Sequence, residues 1–179
     1  LSENRNSNGT ASHRFEALVM PHVNAAYNLA RWLLHDSADA EDVVQEACLR
    51  AFSAMGSFSG GDARAWLLKI VRNACFTWMR KKGRWTAGGD DKLEEIPAGT
   101  EDPDAEMLRS ANVESVRAAI ERLPDDFREL IVLREMEGIS YKDLAEMTGV
   151  PIGTIMSRLS RARERLARDL AASGNGEKT

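Results

Sequence analysis

Apolar residues return every third or fourth position along almost the whole chain and nowhere alternate, which restricts the fold to packed helices. In the N-terminal half, Phe15, Leu18, Val19, Val23, Ala26, Ala30 and Leu33 keep this spacing. After a break at His35-Asp36-Ser37 it resumes through Val43, Val44, Ala47, Ala51 and Phe52. Gly56, Gly60 and Gly61 then force a loop. A third helix is expected over about 63–82, with Leu67, Ile70, Val71, Ala74 and Trp78 as its apolar stripe.

In the C-terminal half, Val113, Val116, Ile120 and Leu123 are stopped by Pro124, and Phe127, Leu130, Ile131 and Leu133 run on to Glu137-Gly138. A short helix over 141–147, capped by Ser140, precedes a last helix bearing Ile155, Leu159, Ala162 and Leu166. The expected fold class is all-α.

The pattern fails between residues 85 and 103, where Gly88-Gly89, Pro97, Gly99 and Pro103 sit among acids. Such a stretch reads as a solvated linker. A chain of 179 residues suffices for two small domains. The expected organisation is a flexible lead over 1–13, a helical domain over 14–86, an acidic linker over 87–109, a second helical domain over 110–172 and a tail over 173–179.

The formal net charge of −4 argues against nucleic acid only if the charges are mixed, and they are not. Arg64, Lys69, Arg72, Arg80, Lys81, Lys82 and Arg84 follow one another with no acid between them. Asp90, Asp91, Glu94, Glu95, Glu101, Asp102, Asp104 and Glu106 are opposed by Lys92 alone. Alternating blocks of this kind point to local nucleic-acid contacts and separate acidic protein contacts.

No apolar run approaches the ~20 residues that span a bilayer, and the polar start has no signal-peptide core, so a cytoplasmic location without membrane insertion is expected. Cys48 and Cys75 each fall inside an apolar pattern and read as small buried side chains. His13, His22 and His35 have no ligand-like spacing with them. Neither a disulfide, a metal site nor a cofactor is expected.

The segment ISYKDLAEMTGVPIGTIMSRLSRARERL has the build of a helix-turn-helix. Leu144 and Ala145 give the first helix a buried face, Gly149 supplies the turn, and Pro151 precedes the second helix, where its missing N–H costs nothing. With Ile155, Leu159, Ala162 and Leu166 turned inward, Thr154, Ser157, Arg158, Arg161, Arg163 and Arg165 are left for phosphates and base edges.

In DARAWLLKIVRNACFTWMRKKGR, the aromatics Trp66, Phe76 and Trp78 share a helix with Lys69, Arg72, Arg80, Lys81 and Lys82. Aromatic faces beside cations suit unpaired bases. The plainer alternative places the tryptophans in a core and the lysines in water. Asn73 either bridges within that core or bonds an extruded base.

Taken in order, DAEDVVQEACLRAF, RAWLLKIVRNACFTWMRKKGR and LPDDFRELIVLREMEGISYKDLAEMTGVPIGTIMSRLSRARERL resemble the extracytoplasmic-function sigma factors, the smallest class of the sigma-70 family. The resemblance runs from about residue 15 to 170. It implies a non-catalytic initiation factor that directs core RNA polymerase to promoter DNA. Asp39, Asp42, Gln45 and Glu46 fall where the family docks on the clamp helices of the largest polymerase subunit.

Phe58, Ser59, Gly60, Asp62 and Asn73 match the pocket that takes a flipped minus-ten base, with Arg72, Arg80 and Lys81 for phosphates. The last helix would read the minus-thirty-five element through Met156, Ser157, Ser160 and Arg161, with Thr154 beside them and Arg158 and Arg163 nearer the backbone. The polymerase flap and an anti-sigma factor are further implied partners.

Two positions depart from the family, which often has Lys or Arg at Met156 and His or an aromatic at Ser160, so its promoter sequence does not carry over. The competing readings are a repressor that works without polymerase, a decoy that titrates an anti-sigma factor, and a nucleic-acid enzyme. The basic last helix argues against the decoy, and the lack of any supported catalytic constellation against the enzyme.

Overall fold

A computed structural model describes residues 12–84 and 113–174. The chain divides into two compact units, Leu1–Thr86 and Ala87–Thr179. The expected acidic linker over 87–109 lies outside the described residues, as do residues 1–11 and 175–179.

In the first unit, helix α1 covers residues 12–18, so Ser12 and His13, expected in the lead, are already helical. The apolar spacing from Phe15 to Leu33 does not make one helix. A tight 3-10 turn, Met20–His22, interrupts it at Pro21, whose ring removes an amide donor and crowds the preceding residue. Helix α2, Val23–Leu34, ends at His35, which takes the left-handed conformation at φ 61°.

Helix α3, Ser37–Ser53, is capped by Asp36, whose carboxylate accepts from the Asp39 amide at 3.0 Å. Helix α4, Ala63–Lys81, follows a second 3-10 turn, Met55–Ser57, and the glycine loop. The three helices pack pairwise around Leu29, Leu33, Val43, Ala47, Leu67, Leu68 and Val71. Cys75 is buried among them, and Cys48 is half-buried with its thiol pKa raised by that burial.

The second unit holds α5 (Val113–Glu121), α6 (Asp125–Ile131), α7 (Tyr141–Thr148) and α8 (Ile152–Gly174). Its core is Ile120, Leu123, Leu130, Leu133, Leu144, Ile155, Leu159, Ala162 and Leu166. The run expected to continue as one helix to Glu137-Gly138 instead widens after Ile131 into a π turn, Val132–Met136, closed by the Glu137 amide on the Val132 carbonyl at 3.0 Å. Val113, read as apolar lining, is 82% exposed. The expected tail begins later than residue 173, because α8 runs to Gly174.

Arg128 is the pivot of this unit. It is 5% exposed, and its guanidinium donates to the carbonyls of Ile120 at 3.3 Å, Glu121 at 3.0 Å and Leu123 at 2.5 Å, and to the Asp125 carboxylate at 2.8 Å. The Leu123 amide reaches the Ile120 carbonyl at 3.1 Å, and the buried cation serves that carbonyl with those of Glu121 and Leu123 and suits the negative end of the helix dipole.

Candidate nucleic-acid interface

Ser140 opens the helix-turn-helix by accepting from the Asp143 amide at 3.1 Å while its hydroxyl donates to the Asp143 carboxylate at 2.5 Å. Gly149 closes α7 at φ 72°, a conformation that a side chain resists, and its amide donates to the Ala145 carbonyl at 2.9 Å. The buried face of α7 is Leu144 with Met147; Ala145, expected inside, is half-buried. Thr148 braces the turn, donating to the Leu144 carbonyl at 2.7 Å and accepting from the Val150 amide at 3.4 Å. The Pro151 carbonyl accepts from the Ile155 amide at 3.0 Å and so starts α8.

The candidate residues of α8 divide into two sets. Met156, Ser157 and Ser160 are exposed, as is the neighbouring Gly153, which the sequence reading did not single out, and Thr154 and Arg161 are half-buried. Arg163 turns the other way: both Nε, at 3.3 Å, and Nη2, at 2.7 Å, donate to one oxygen of Glu135 in the π turn. Partial burial opposes its charge, but hydrogen bonds and charge from Glu135 and Tyr141 outweigh that and raise its pKa. Arg158 leans toward Asp126 of α6 at 3.8 Å. Both arginines that the sequence places near the DNA backbone thus tie α8 to its own scaffold. Sequence spacing names the face a side chain occupies but not the acid that meets it.

In the first unit, Asp62 caps α4, its carboxylate accepting from the amides of Arg64 at 2.9 Å and Ala65 at 3.2 Å. Gly60 and Gly61 stand at φ 103° and 99°, which shapes the loop before it. Phe58 is 8% exposed, and its ring lies 4.9 Å from that of Trp66. The Phe58 side chain is therefore turned into the domain, while Ser59 and Gly60 remain exposed. Arg14 donates to the Phe58 carbonyl at 3.4 Å and holds the loop from α1.

Along α4, Asn73 is exposed rather than a bridge within the core. Its side-chain oxygen accepts from Arg72 at 3.4 Å, and the Arg72 guanidinium lies 4.4 Å from the centre of the buried Phe76 ring. Trp78 is half-buried, with Lys82 and Arg84 over its ring at 5.3 and 5.6 Å. Arg80 and Lys81 are exposed, Arg80 donating to the Thr77 hydroxyl at 3.5 Å. The choice between a buried aromatic and a displayed one is thus settled residue by residue.

On α3, Asp42, Gln45 and Glu46 are exposed and Asp39 half-buried. Glu46 accepts from Arg50 at 2.5 Å. Beside these acids stand Leu49 at 70% exposure and Phe52 at 37%, the latter edge-on to Phe15 with ring centres 5.4 Å apart. Phe52 was expected in the core and Leu49 was not singled out. The signal was available: both lie off the Val44, Ala47, Ala51 stripe. Among the described residues, no cluster of metal-binding side chains occurs, and no helix is long and apolar enough to cross a membrane.

Comparison with known proteins matches two family models in order: Sigma-70 region 2 over residues 18–85 and Sigma-70, region 4 over residues 114–166. The chain is 34% identical to the RNA polymerase sigma-H factor of Pseudomonas aeruginosa over 87% of its length and 86% of that protein. It is 37% identical to the ECF RNA polymerase sigma-E factor of Haemophilus influenzae over 84% of each. Among solved structures, the sigma factor RpoE of Bartonella quintana, in complex with the anti-sigma factor NepR, superposes with a TM-score of 0.68 at 34% identity. That match covers 88% of this chain and 96% of the other.

Proposed function

The chain belongs to the extracytoplasmic-function class of the sigma-70 family, non-catalytic factors of transcription initiation, and from that premise we propose that it anchors core polymerase to promoters at two points. The second unit grips duplex DNA upstream through α8. The first unit holds an unpaired strand downstream through the glycine loop and α4. Capture of an extruded base offsets part of the few kcal/mol that unpairing costs.

In this reading the exposed side chains of α8, namely Met156, Ser157 and Ser160 with Thr154 and Arg161, meet the upstream element. Arg158 and Arg163 set the pitch of the helix. Downstream, Ser59, Gly60 and Asn73 border the base pocket, and Arg72, Arg80 and Lys81 neutralise phosphates. Asp62 fixes the start of α4, and Phe58 serves by pinning the loop rather than by touching DNA. On α3, Asp39, Asp42, Gln45 and Glu46, with Leu49 and Phe52 beside them, face the clamp helices of polymerase.

An anti-sigma factor covering such faces would keep the free chain inactive, and the cytoplasm, where polymerase works, is its place of action. The observation that carries the reading is the exposed strip of α8 above a seam in which Ile155 and Leu159 are fully buried. Purified chain added to core polymerase on a promoter library tests it. Discrete start sites are expected; a polymerase that initiates no better with the chain than without it would end the reading.

A further inference from the structure

Gly153, Met156, Ser157 and Ser160 stand at i, i+3, i+4 and i+7, so they form one continuous exposed strip on α8. Gly153 has helical backbone, and a Cβ built on it meets nothing within 4 Å. Glycine weakens a helix interior relative to alanine, and Gly153, second in α8, carries only part of that cost. No neighbour in the domain calls for a missing side chain there, so the clearance matters to something that approaches from outside. Next to the notch, Met156 is 54% exposed and Ile152, one turn earlier, 45%.

The two serines of the strip turn their hydroxyls back on the helix, Ser157 donating to the Thr154 carbonyl at 3.0 Å and Ser160 to the Glu164 carboxylate at 3.3 Å. The long side chain offered at this end of the strip is therefore apolar. Arg161, Arg165 and Arg168 follow it on the same helix and supply charge complementary to a phosphate backbone. In the major groove, the apolar group among the base edges is the thymine C5-methyl. Guanine, adenine and cytosine present hydrogen-bonding groups that a methionine, at most a weak acceptor through its sulfur, answers poorly.

We propose that the leading turns of α8 read a thymine methyl in the upstream element by apolar contact, Met156 supplying the side chain and Gly153 the room. The inference rests on the promoter-binding reading above and goes beyond it by naming the base. Uracil differs from thymine only by that methyl, so exchanging one for the other removes the contact and leaves every hydrogen bond. One buried methyl is worth about 0.8 kcal/mol, or roughly a fourfold change in affinity.

The test selects duplexes randomised in the upstream element with the full chain on core polymerase. Each thymine of the winners is then replaced by uracil. At one position or two adjacent ones, the exchange is expected to weaken binding about fourfold for the wild type. Met156→Ala should bind the thymine and uracil duplexes alike, while Arg161→Ala, weaker throughout, keeps the ratio. Gly153→Ala should bind the selected duplex several-fold more weakly although its melting temperature is unchanged or higher.

Winners that contain no thymine in this element, or that tolerate uracil everywhere, overturn the proposal and leave the promoter-binding reading intact. So does a Met156→Ala variant that still prefers thymine, or one that loses core polymerase and not the preference, since Met156 would then face a protein. Gly153→Ala binding as tightly as wild type overturns the clearance. If the wild type retains no duplex above the random pool, the promoter-binding reading falls and this inference with it.

Discussion

The two units use arginine in opposite ways. In the second unit the guanidinium groups are part of the frame: Arg128 closes the end of α5, Arg163 reaches Glu135, Arg122 lies 3.5 Å from Asp169, and Arg134 sits 4.5 Å above the Tyr141 ring. In the first unit the cations of α4 and of the residues just after it lie on aromatic rings or at the surface, as with Arg72 on Phe76, Arg84 over Trp78, and Arg80. In the second unit three short helices, α5, α6 and α7, pack on one long one, and short helices bury little apolar area, so charge at their ends helps fix their angles. The pairwise packing of α2, α3 and α4 rests on apolar burial, and Arg80 and Lys81 at the end of α4 stay exposed.

The sharpest way to break this contrast is Arg128→Met. It strands the carbonyls of Glu121 and Leu123 and takes one of two donors from that of Ile120, and each buried acceptor left without its charged donor costs about 1–3 kcal/mol. The four tryptophans, Trp32, Trp66, Trp78 and Trp85, all fall in the first unit. Urea unfolding followed by circular dichroism should therefore gain an early transition while tryptophan fluorescence keeps its midpoint. Movement of both signals together would mean that the units do not unfold separately.

Leu67→Ala is the counterpart. Leu67 is fully buried on α4, and such a truncation costs about 2–5 kcal/mol. Here the fluorescence midpoint should fall and the second unit's transition should hold. An equal loss in both units would erase the distinction between a frame built on apolar burial and one built on charge.

Within α8 the contrast narrows to two arginines. Arg161→Met should weaken promoter binding by about 1–3 kcal/mol and leave the melting temperature in place. Arg163→Met should do the reverse, and modestly: its pair with Glu135 is partly exposed, so screening limits the stability loss to about 1 kcal/mol or less. Filter binding and calorimetry on the same two proteins decide the assignment. If Arg163→Met loses as much DNA affinity as Arg161→Met, its place in the frame is wrong.

These pairs also mark how far the sequence alone reaches. The all-α class, the matched order of regions 2 and 4 and the inward seam Ile155, Leu159, Ala162, Leu166 follow from periodicity and motif, because burial follows period. The break at Pro21 and the widened turn after Ile131 did not emerge. One is a steric effect overridden by strong apolar spacing on both sides, and the other a hydrogen-bond choice among residues with the same propensity. Of the candidate site residues, exposure of Asp42, Glu46 and Ser157 was legible from the face they occupy, whereas Met156 entered through the family resemblance. The inward turn of Phe58 depends on Trp66 across the glycine loop, and the internal pairing of Arg163 on Glu135, distant in the chain; no helical period announces either.

The smallest expected effect separates the units by pH. Helix α3 is capped by an acid, Asp36, and α7 by a hydroxyl, Ser140. The bond from the Asp39 amide outweighs the opposing effect of desolvation and, with the Ala38 amide and the charges of Arg31 and Arg84, holds the Asp36 pKa below the ordinary 3.8. A carboxylate whose folded pKa is depressed contributes its full stability above the unfolded value and loses it as pH falls through the folded one. The Asp36 cap should thus hold at neutral pH and weaken as acid is added below about 3.8. Ser140 carries no charge to lose. Amide exchange at Asp39, compared with the same amide in Asp36→Asn, should converge as pH drops through that window. A difference that persists unchanged to lower pH would mean the cap acts through shape rather than charge.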